Sequence, residues 1–392
     1  MHATVTELLR AGLAALERHN ESEARARFVE ARETERRAAG GAAEELFSRV
    51  TDADALYFAA LATGQLGENP LELARRAVEA YRAAPPSLRA ARAWETYGYF
   101  LHDGAHDAAA AQAMREAAGV YAALGGHDAQ QANALYNAGI SYAEAGDVAA
   151  AIAALEAALL PAGALPEVDL GRVAIRATLA AARLDAGQFA AAARDYAAAE
   201  TAFAALPGQE FNAIDCAFGR ARAVLSSGDY PVAAEHFAQV AARAAELAGG
   251  EVTGGEVASG EVTGGEVTGA QQPGADAAGG ERAAWEVAAM SWHHVAVAQA
   301  KNGAPAQGVP AMEKAAAIYA GLGEQLSAAH CRGLLGDLHA EARDMTAART
   351  AWQAGIAALE AAAADGGELP AGPARDLEEF RRKLSAAGGA LG

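Results

Sequence analysis

A turn signal that returns about every 41 residues is the feature that most constrains what this chain can fold into. At six places an alanine-rich helical pattern is interrupted by a short break that contains glycine or aspartate. These breaks are centred on Ala105, Gly146, Gly187, Gly228, Gly303 and Arg343. The intervals between them are 41, 41, 41, 75 and 40 residues, so one interval exceeds the period by about 34 residues. A fixed period of this size indicates an array of repeated helical units.

The segment around Gly146 shows what one unit contains. After the break, apolar residues recur with the 3.6-residue period of an α-helix, at Val148, Ala151, Ile152, Leu155, Ala158 and Leu159. Gly146 suits the left-handed residue that ends a helix, and the carboxylate of Asp147 can cap the next one. The pattern therefore predicts two antiparallel helices joined by a short turn.

Two weaker units precede this series, one turning near His19 and one turning between Gly64 and Asn69, which gives about eight helical hairpins. A single alanine-rich hairpin cannot bury its apolar stripe alone, so neighbouring hairpins must stack. We expect hairpins 1–6 over residues 1–248 and hairpins 7–8 over residues 283–364. Within residues 365–392, Leu377, Phe380 and Leu384 share one helical face, which predicts a capping helix for the last hairpin.

The extra residues lie between hairpins 6 and 7, in a segment spanning residues 249–282. A glycine-rich pentapeptide occurs four times from Gly250 to Gly269, and it contains no aromatic residue. Its glycines oppose both helix and strand, so we expect a flexible insert. Carboxylates five residues apart in such a chain do not form a calcium-binding loop.

The composition excludes several classes of function. The 392 residues include 31 Lys and Arg against 50 Asp and Glu, for a net charge of −19, which argues against a nucleic-acid partner. The chain shows no signal-peptide pattern and no apolar run of about 18 residues, so we expect a cytoplasmic protein without a membrane partner. None of its three lysines follows a glycine, which excludes a P-loop. Cys216 and Cys331 are expected to be small buried thiols.

The spacing of small and large residues resembles the tetratricopeptide repeat (TPR) family. In the first helices the matching residues are Trp94, Tyr97, Gly98 and Leu101, then Leu135, Gly139 and Tyr142, then Leu335 and Gly336. In the second helices they are Ala24, Phe28 and Ala31, then Ala192, Tyr196 and Ala199, then Ala233 and Phe237. The period of 41 exceeds the family's usual length of about 34 residues and is similar to that of long-repeat bacterial members. The resemblance implies an all-α, right-handed α-solenoid that binds partners on its concave face.

Candidate groove residues come from the first helices. Asn133 and Asn137 lie one turn apart, and the resemblance implies that Asn137 hydrogen-bonds a peptide backbone. The same slot holds Thr96, Thr178, Gly219, His294 and Leu334 in other hairpins, so a two-carboxylate clamp is not reproduced. Arg92, Asp215 and Arg222 are candidates for adding charge to the groove.

Two histidines of the last hairpins complete the candidate set. His294 and His330 are predicted to face one another across neighbouring first helices, and Cys331 follows directly in the chain. A structural zinc ion usually takes four ligands, and no carboxylate has an obvious placement beside them. We therefore expect groove-lining histidines, with no metal and no cofactor.

These observations favour a non-catalytic scaffold that binds a protein or peptide, because no nucleophile–base pair or metal-ligand motif is found. The alternative is a sensor that binds a peptide or small ligand and acts on a separate effector protein. Self-association into a homo-oligomer is compatible with either hypothesis.

Overall fold

The computed structural model describes residues 20–37, 52–249, 277–366 and 368–389, together with 7–8, 11–12 and 14–15. Within these residues, sixteen α-helices have defined bounds and no strand is present, which confirms the predicted all-α fold. The helices are α1 (Glu21–Arg37), α2 (Ala53–Gln65), α3 (Leu71–Arg82), α4 (Leu88–Asp103), α5 (Asp107–Leu124), α6 (Asp128–Glu144), α7 (Val148–Ala162), α8 (Leu170–Asp185), α9 (Phe189–Ala204), α10 (Glu210–Ser226), α11 (Tyr230–Leu247), α12 (Ala277–Lys301), α13 (Pro305–Gly321), α14 (Gln325–Glu341), α15 (Met345–Gly366) and α16 (Ala371–Gly389). None of these helices is both long enough and apolar enough to cross a lipid bilayer.

The chain divides into two compact units, unit 1 (residues 1–182) and unit 2 (residues 183–392). Within each unit, helices that follow one another in the chain pack together as hairpins. Unit 1 contains the hairpins α2–α3, α4–α5 and α6–α7 and most of the first helix α8. Unit 2 contains the second helix α9 and the hairpins α10–α11, α12–α13 and α14–α15. Most of the predicted insert, residues 250–276, lies outside the described residues, and α12 begins at Ala277.

All six predicted breaks adopt the left-handed backbone conformation. The φ angles are 56° at Ala105, 78° at Gly146, 73° at Gly187, 90° at Gly228, 76° at Gly303 and 66° at Arg343. At the Gly146 turn this conformation lets the Asp147 backbone N–H donate to the Tyr142 carbonyl at 2.9 Å. The Asp147 carboxylate then accepts from the Ala150 backbone N–H at 3.0 Å, which caps α7 as predicted.

Small residues of the first helices allow the second helices to approach closely. A Cβ atom placed on Gly139 would lie 2.6 Å from Leu155 Cγ, and one on Gly98 would lie 2.8 Å from Met114 Cε. Such distances are too short for a carbon–carbon contact, so a larger residue at either crossing would force the facing side chain to shift. This pairing of a first-helix glycine with a large second-helix residue confirms the TPR-like pattern.

The last helix, α16, covers the end of unit 2. Phe380 is only 2% exposed, and its ring lies against Gly333 of α14. Asp337 of α14 holds the cap from the side, because it accepts from Lys383 Nζ at 2.7 Å and from Trp352 Nε1 at 2.9 Å. The apolar stripe of α16 therefore packs on the final hairpin.

We expect Gly139→Ala to destabilise the protein, whereas Gly119→Ala should leave stability unchanged or raise it. The first change forces a methyl group against Leu155, and overpacking of this kind costs about 1–3 kcal/mol. Gly119 lies on α5 with no atom within 4 Å of the position of its Cβ, so alanine gains about 0.5–1 kcal/mol of helix propensity there. Urea unfolding of both variants measures the difference, and equal stability would contradict the close-approach explanation.

Candidate binding face

In unit 1, neighbouring first helices are joined by hydrogen bonds between side chains that are 39, 38 and 42 residues apart. The slot predicted for ligand binding holds Thr96, Asn137 and Thr178, and each of them contacts a tyrosine hydroxyl from the preceding hairpin. The three pairs are Tyr57 with Thr96 at 3.5 Å, Tyr99 with Asn137 at 3.0 Å, and Tyr136 with Thr178 at 3.5 Å. We call these six side chains and Asn133 the hydroxyl–amide face.

The centre of this face lies at Tyr99 and the two predicted asparagines. Asn137 donates through Nδ2 to the Tyr99 hydroxyl, and Tyr99 is 45% exposed. Burial raises the pKa of Tyr99, the nearby Glu95 carboxylate raises it further, and the amides of Asn137 and Asn133 oppose the rise. The structure therefore brings Asn133 and Asn137 together around one phenol that is neutral at physiological pH.

Arg92 lies on the exposed side of α4, close to Glu95. Burial raises the pKa of Glu95, while a hydrogen bond from the Tyr121 hydroxyl at 2.7 Å and the charge of Arg92 both lower it. Arg92 thus places positive charge near Glu95, on the same helix as Thr96 and Tyr99.

The predicted charged residues of unit 2 lie together on α10. Asp215 and Arg222 are both accessible to solvent. Neighbouring protein atoms nevertheless crowd the Asp215 carboxyl group and raise its pKa, and the charge of Arg222 opposes that rise. Burial is the main cause that lowers the pKa of His294, and the positive charge of Arg222 lowers it further.

His294 is held from three sides. Its ring stacks on Phe237 with 4.8 Å between centroids and meets the edge of Phe218 at 5.4 Å. Its Nδ1 atom lies 2.8 Å from the carbonyl oxygen of Met290, so a neutral His294 donates its proton there.

Among the ring contacts of the described residues, His330 pairs with His293, the neighbour of His294, and not with His294 itself. Its ring centroid lies 6.0 Å from that of His293, and its Nδ1 atom lies 2.7 Å from Asp376 Oδ2 of α16. Cys331 is buried, and burial raises the pKa of its thiol to about 12. Sequence reasoning missed Asp376, because only the docking of α16 brings it to His330.

A group of potential metal ligands also went unnoticed in the sequence. Within the described part of the chain, His102, Asp107 and Glu144 place one ligand atom each within 4.8 Å of the others. Their separations of 5 and 37 residues match no contiguous metal-binding motif. The tyrosines of the hydroxyl–amide face were missed for a similar reason, since their role depends on the register of neighbouring hairpins.

No family model matches the sequence, and the search of curated proteins found no match. Solved structures do show similarity. RapI in its apo form is 12% identical, with 97% of this chain and 86% of that chain covered and a TM-score of 0.47. The C-terminal part of a TPR repeat-containing protein from Cytophaga hutchinsonii is 14% identical, with 92% and 100% covered and a TM-score of 0.40. A tetratricopeptide repeat protein from Parabacteroides merdae is 12% identical, with 84% and 98% covered and a TM-score of 0.41.

The histidines of unit 2 make stability depend on pH. Burial, together with the nearby rings of His294 and His330, lowers the pKa of His293 to about 4. Because the unfolded chain binds this proton more tightly, stability should be lost as the pH falls from about 6.5 toward 4. We expect the wild type to lose about 1–2 kcal/mol more between pH 7 and pH 5 than His293→Gln does. Denaturant unfolding at both pH values tests this, with His339→Gln as a control that should keep the wild-type dependence.

Proposed function

We propose that this chain is a non-catalytic binding protein and that the hydroxyl–amide face of unit 1 holds an extended peptide segment of a partner protein. The observation that carries the proposal is the repeated slot. Thr96, Asn137 and Thr178 stand side by side on successive first helices, each beside a tyrosine. A row of uncharged donors and acceptors is thereby repeated in step with the hairpins.

Such a row suits a peptide backbone better than a charged ligand. An amide side chain carries two N–H donors and an acceptor oxygen, and Asn137 uses one N–H for Tyr99. The remaining groups can accept from and donate to successive peptide units, which gives affinity without reading a particular sequence. The exposed ring of Tyr99 adds apolar contact area at small cost in side-chain entropy.

The corresponding surface of unit 2 offers a peptide fewer accessible hydrogen-bonding groups. His294 is enclosed by Phe218, Phe237 and a backbone carbonyl, and His330 is paired with Asp376. A ligand there would have to displace contacts that already exist. We therefore assign Asp215, Arg222, His294 and His330 a supporting role outside the main binding face.

The cysteines support the non-catalytic assignment. Burial raises the thiol pKa to about 12 in both Cys216 and Cys331, whereas a nucleophilic cysteine needs a lowered pKa. Both thiols therefore act as small core side chains at physiological pH.

A display library of unstructured peptides tests the binding face directly. We expect the full chain to enrich a set of peptides, and Asn137→Ala to weaken their binding by about tenfold, the usual value of one buried hydrogen bond. Tyr99→Phe should weaken binding to a smaller degree, because it removes only the hydroxyl that orients Asn137. Affinities are measured by fluorescence anisotropy with labelled copies of the enriched peptides.

Gln112→Ala is the matched control, since Gln112 is an exposed amide on the second helix α5 of the same unit. This variant should bind every peptide as the wild type does. Retention of full affinity by both Asn137→Ala and Asn133→Ala would refute the assignment of the face. Small-angle scattering with bound peptide separates the two functional models, because a sensor must change shape and a scaffold need not.

A further inference from the structure

Three side chains from three helices meet at the turn of the third hairpin. His102 lies in the last turn of α4, Asp107 is the first residue of α5, and Glu144 is the last residue of α6. His102 Nδ1 lies 3.1 Å from Asp107 Oδ1 and 3.2 Å from Glu144 Oε2. One imidazole nitrogen therefore faces two carboxylates at the same time.

The backbone of the turn creates this arrangement. Ala105 takes the left-handed conformation at φ 56°, and the His106 backbone N–H donates to the Leu101 carbonyl at 2.8 Å. This tight reversal brings the start of α5 beside the end of α4, so Asp107 reaches His102. Glu144 arrives from the first helix of the next hairpin.

The charges of the group are not balanced by basic residues. Among the described residues, neither Asp107 nor Glu144 forms an ion pair with lysine or arginine. A neutral His102 leaves two negative charges within a few ångströms, and a protonated His102 leaves one. A cation that binds the unprotonated Nδ1 takes the place of the proton there, and both carboxylates attract it.

The distances suit a small divalent cation. An ion about 2.0–2.2 Å from imidazole nitrogen and carboxylate oxygen sets its ligands about 3.0–3.5 Å apart. The two nitrogen–oxygen distances, 3.1 and 3.2 Å, fall in this range, and the ligand oxygens of Asp107 and Glu144 lie within 4.8 Å of each other. The side chains are 37%, 24% and 38% exposed for His102, Asp107 and Glu144, which leaves room for water ligands.

We propose that His102, Asp107 and Glu144 form a binding site for a divalent first-row transition metal ion such as Zn²⁺, with water completing its coordination. A nitrogen ligand disfavours Ca²⁺ and Mg²⁺, which take oxygen ligands, and imidazole with carboxylate suits Zn²⁺. The bound ion links the α4–α5 turn to the end of α6. It therefore fixes how hairpins 3 and 4 pack against each other within unit 1.

Isothermal titration of untagged, EDTA-treated full-length protein with ZnCl₂ tests the site. We expect one saturable site of micromolar affinity that His102→Gln and Glu144→Gln weaken by about tenfold or more, since each removes a direct ligand. Zinc should also raise the melting temperature of the wild type but not that of the two variants. CaCl₂ and MgCl₂ at the same concentrations should have no such effect.

His339→Gln is the matched control, because His339 also lies in the last turn of a first helix, α14. It should bind zinc as the wild type does. A titration that His102→Gln and Glu144→Gln leave unchanged would show that zinc binds elsewhere and would overturn the proposal. Absence of saturable zinc binding by the wild type below about 1 mM would overturn it as well, and the group would then be an internal ion pair. Circular dichroism shows whether each variant is folded, and Glu144→Gln tests the site independently of His102.

Discussion

The reversal of the chain after each first helix is the constraint on which the rest of the structure depends. Six residues spaced by about one repeat take positive φ values, and four of them are glycines. Ala105 and Arg343 adopt the same conformation although a side chain in this region costs about 1–2 kcal/mol. The turn is therefore kept even where the residue opposes it. Because these reversals share one geometry, positions about 41 residues apart in unit 1 come to lie side by side on neighbouring first helices.

Local rules account for the part of the fold that the sequence predicts. The breaks, the cap at Asp147 and the apolar stripes each depend on residues within one or two helical turns, so they are visible in the printed sequence. The glycine crossings are also visible, because Gly98 and Gly139 recur at the repeat period. The insert was predicted over residues 249–282, and most of that range, residues 250–276, lies outside the described residues.

The candidate sites were predicted less completely, since they depend on register between hairpins. Asn137 was identified from its slot, whereas its partner Tyr99 lies 38 residues earlier and not one full period away. His330 was expected to face His294, yet its ring contact is with His293, one residue and about 100° of helix rotation away. His102, Asp107 and Glu144 come from three helices and share no motif. A rotation of one helix by a single residue would separate any of these groups, and a sequence does not define rotation that finely.

The repeated slot also explains why one hairpin should dominate binding. Each slot residue of unit 1 already forms a hydrogen bond with a tyrosine, and this bond holds neighbouring first helices in register. A threonine hydroxyl has a single donor, so Thr178, which donates to Tyr136, retains only acceptor capacity. Asn137 retains one N–H and its oxygen after bonding Tyr99, so it can both donate to and accept from the same ligand. The bond that orders the hairpins and the capacity to bind a peptide thus coexist at Asn137, because an amide has more than one donor.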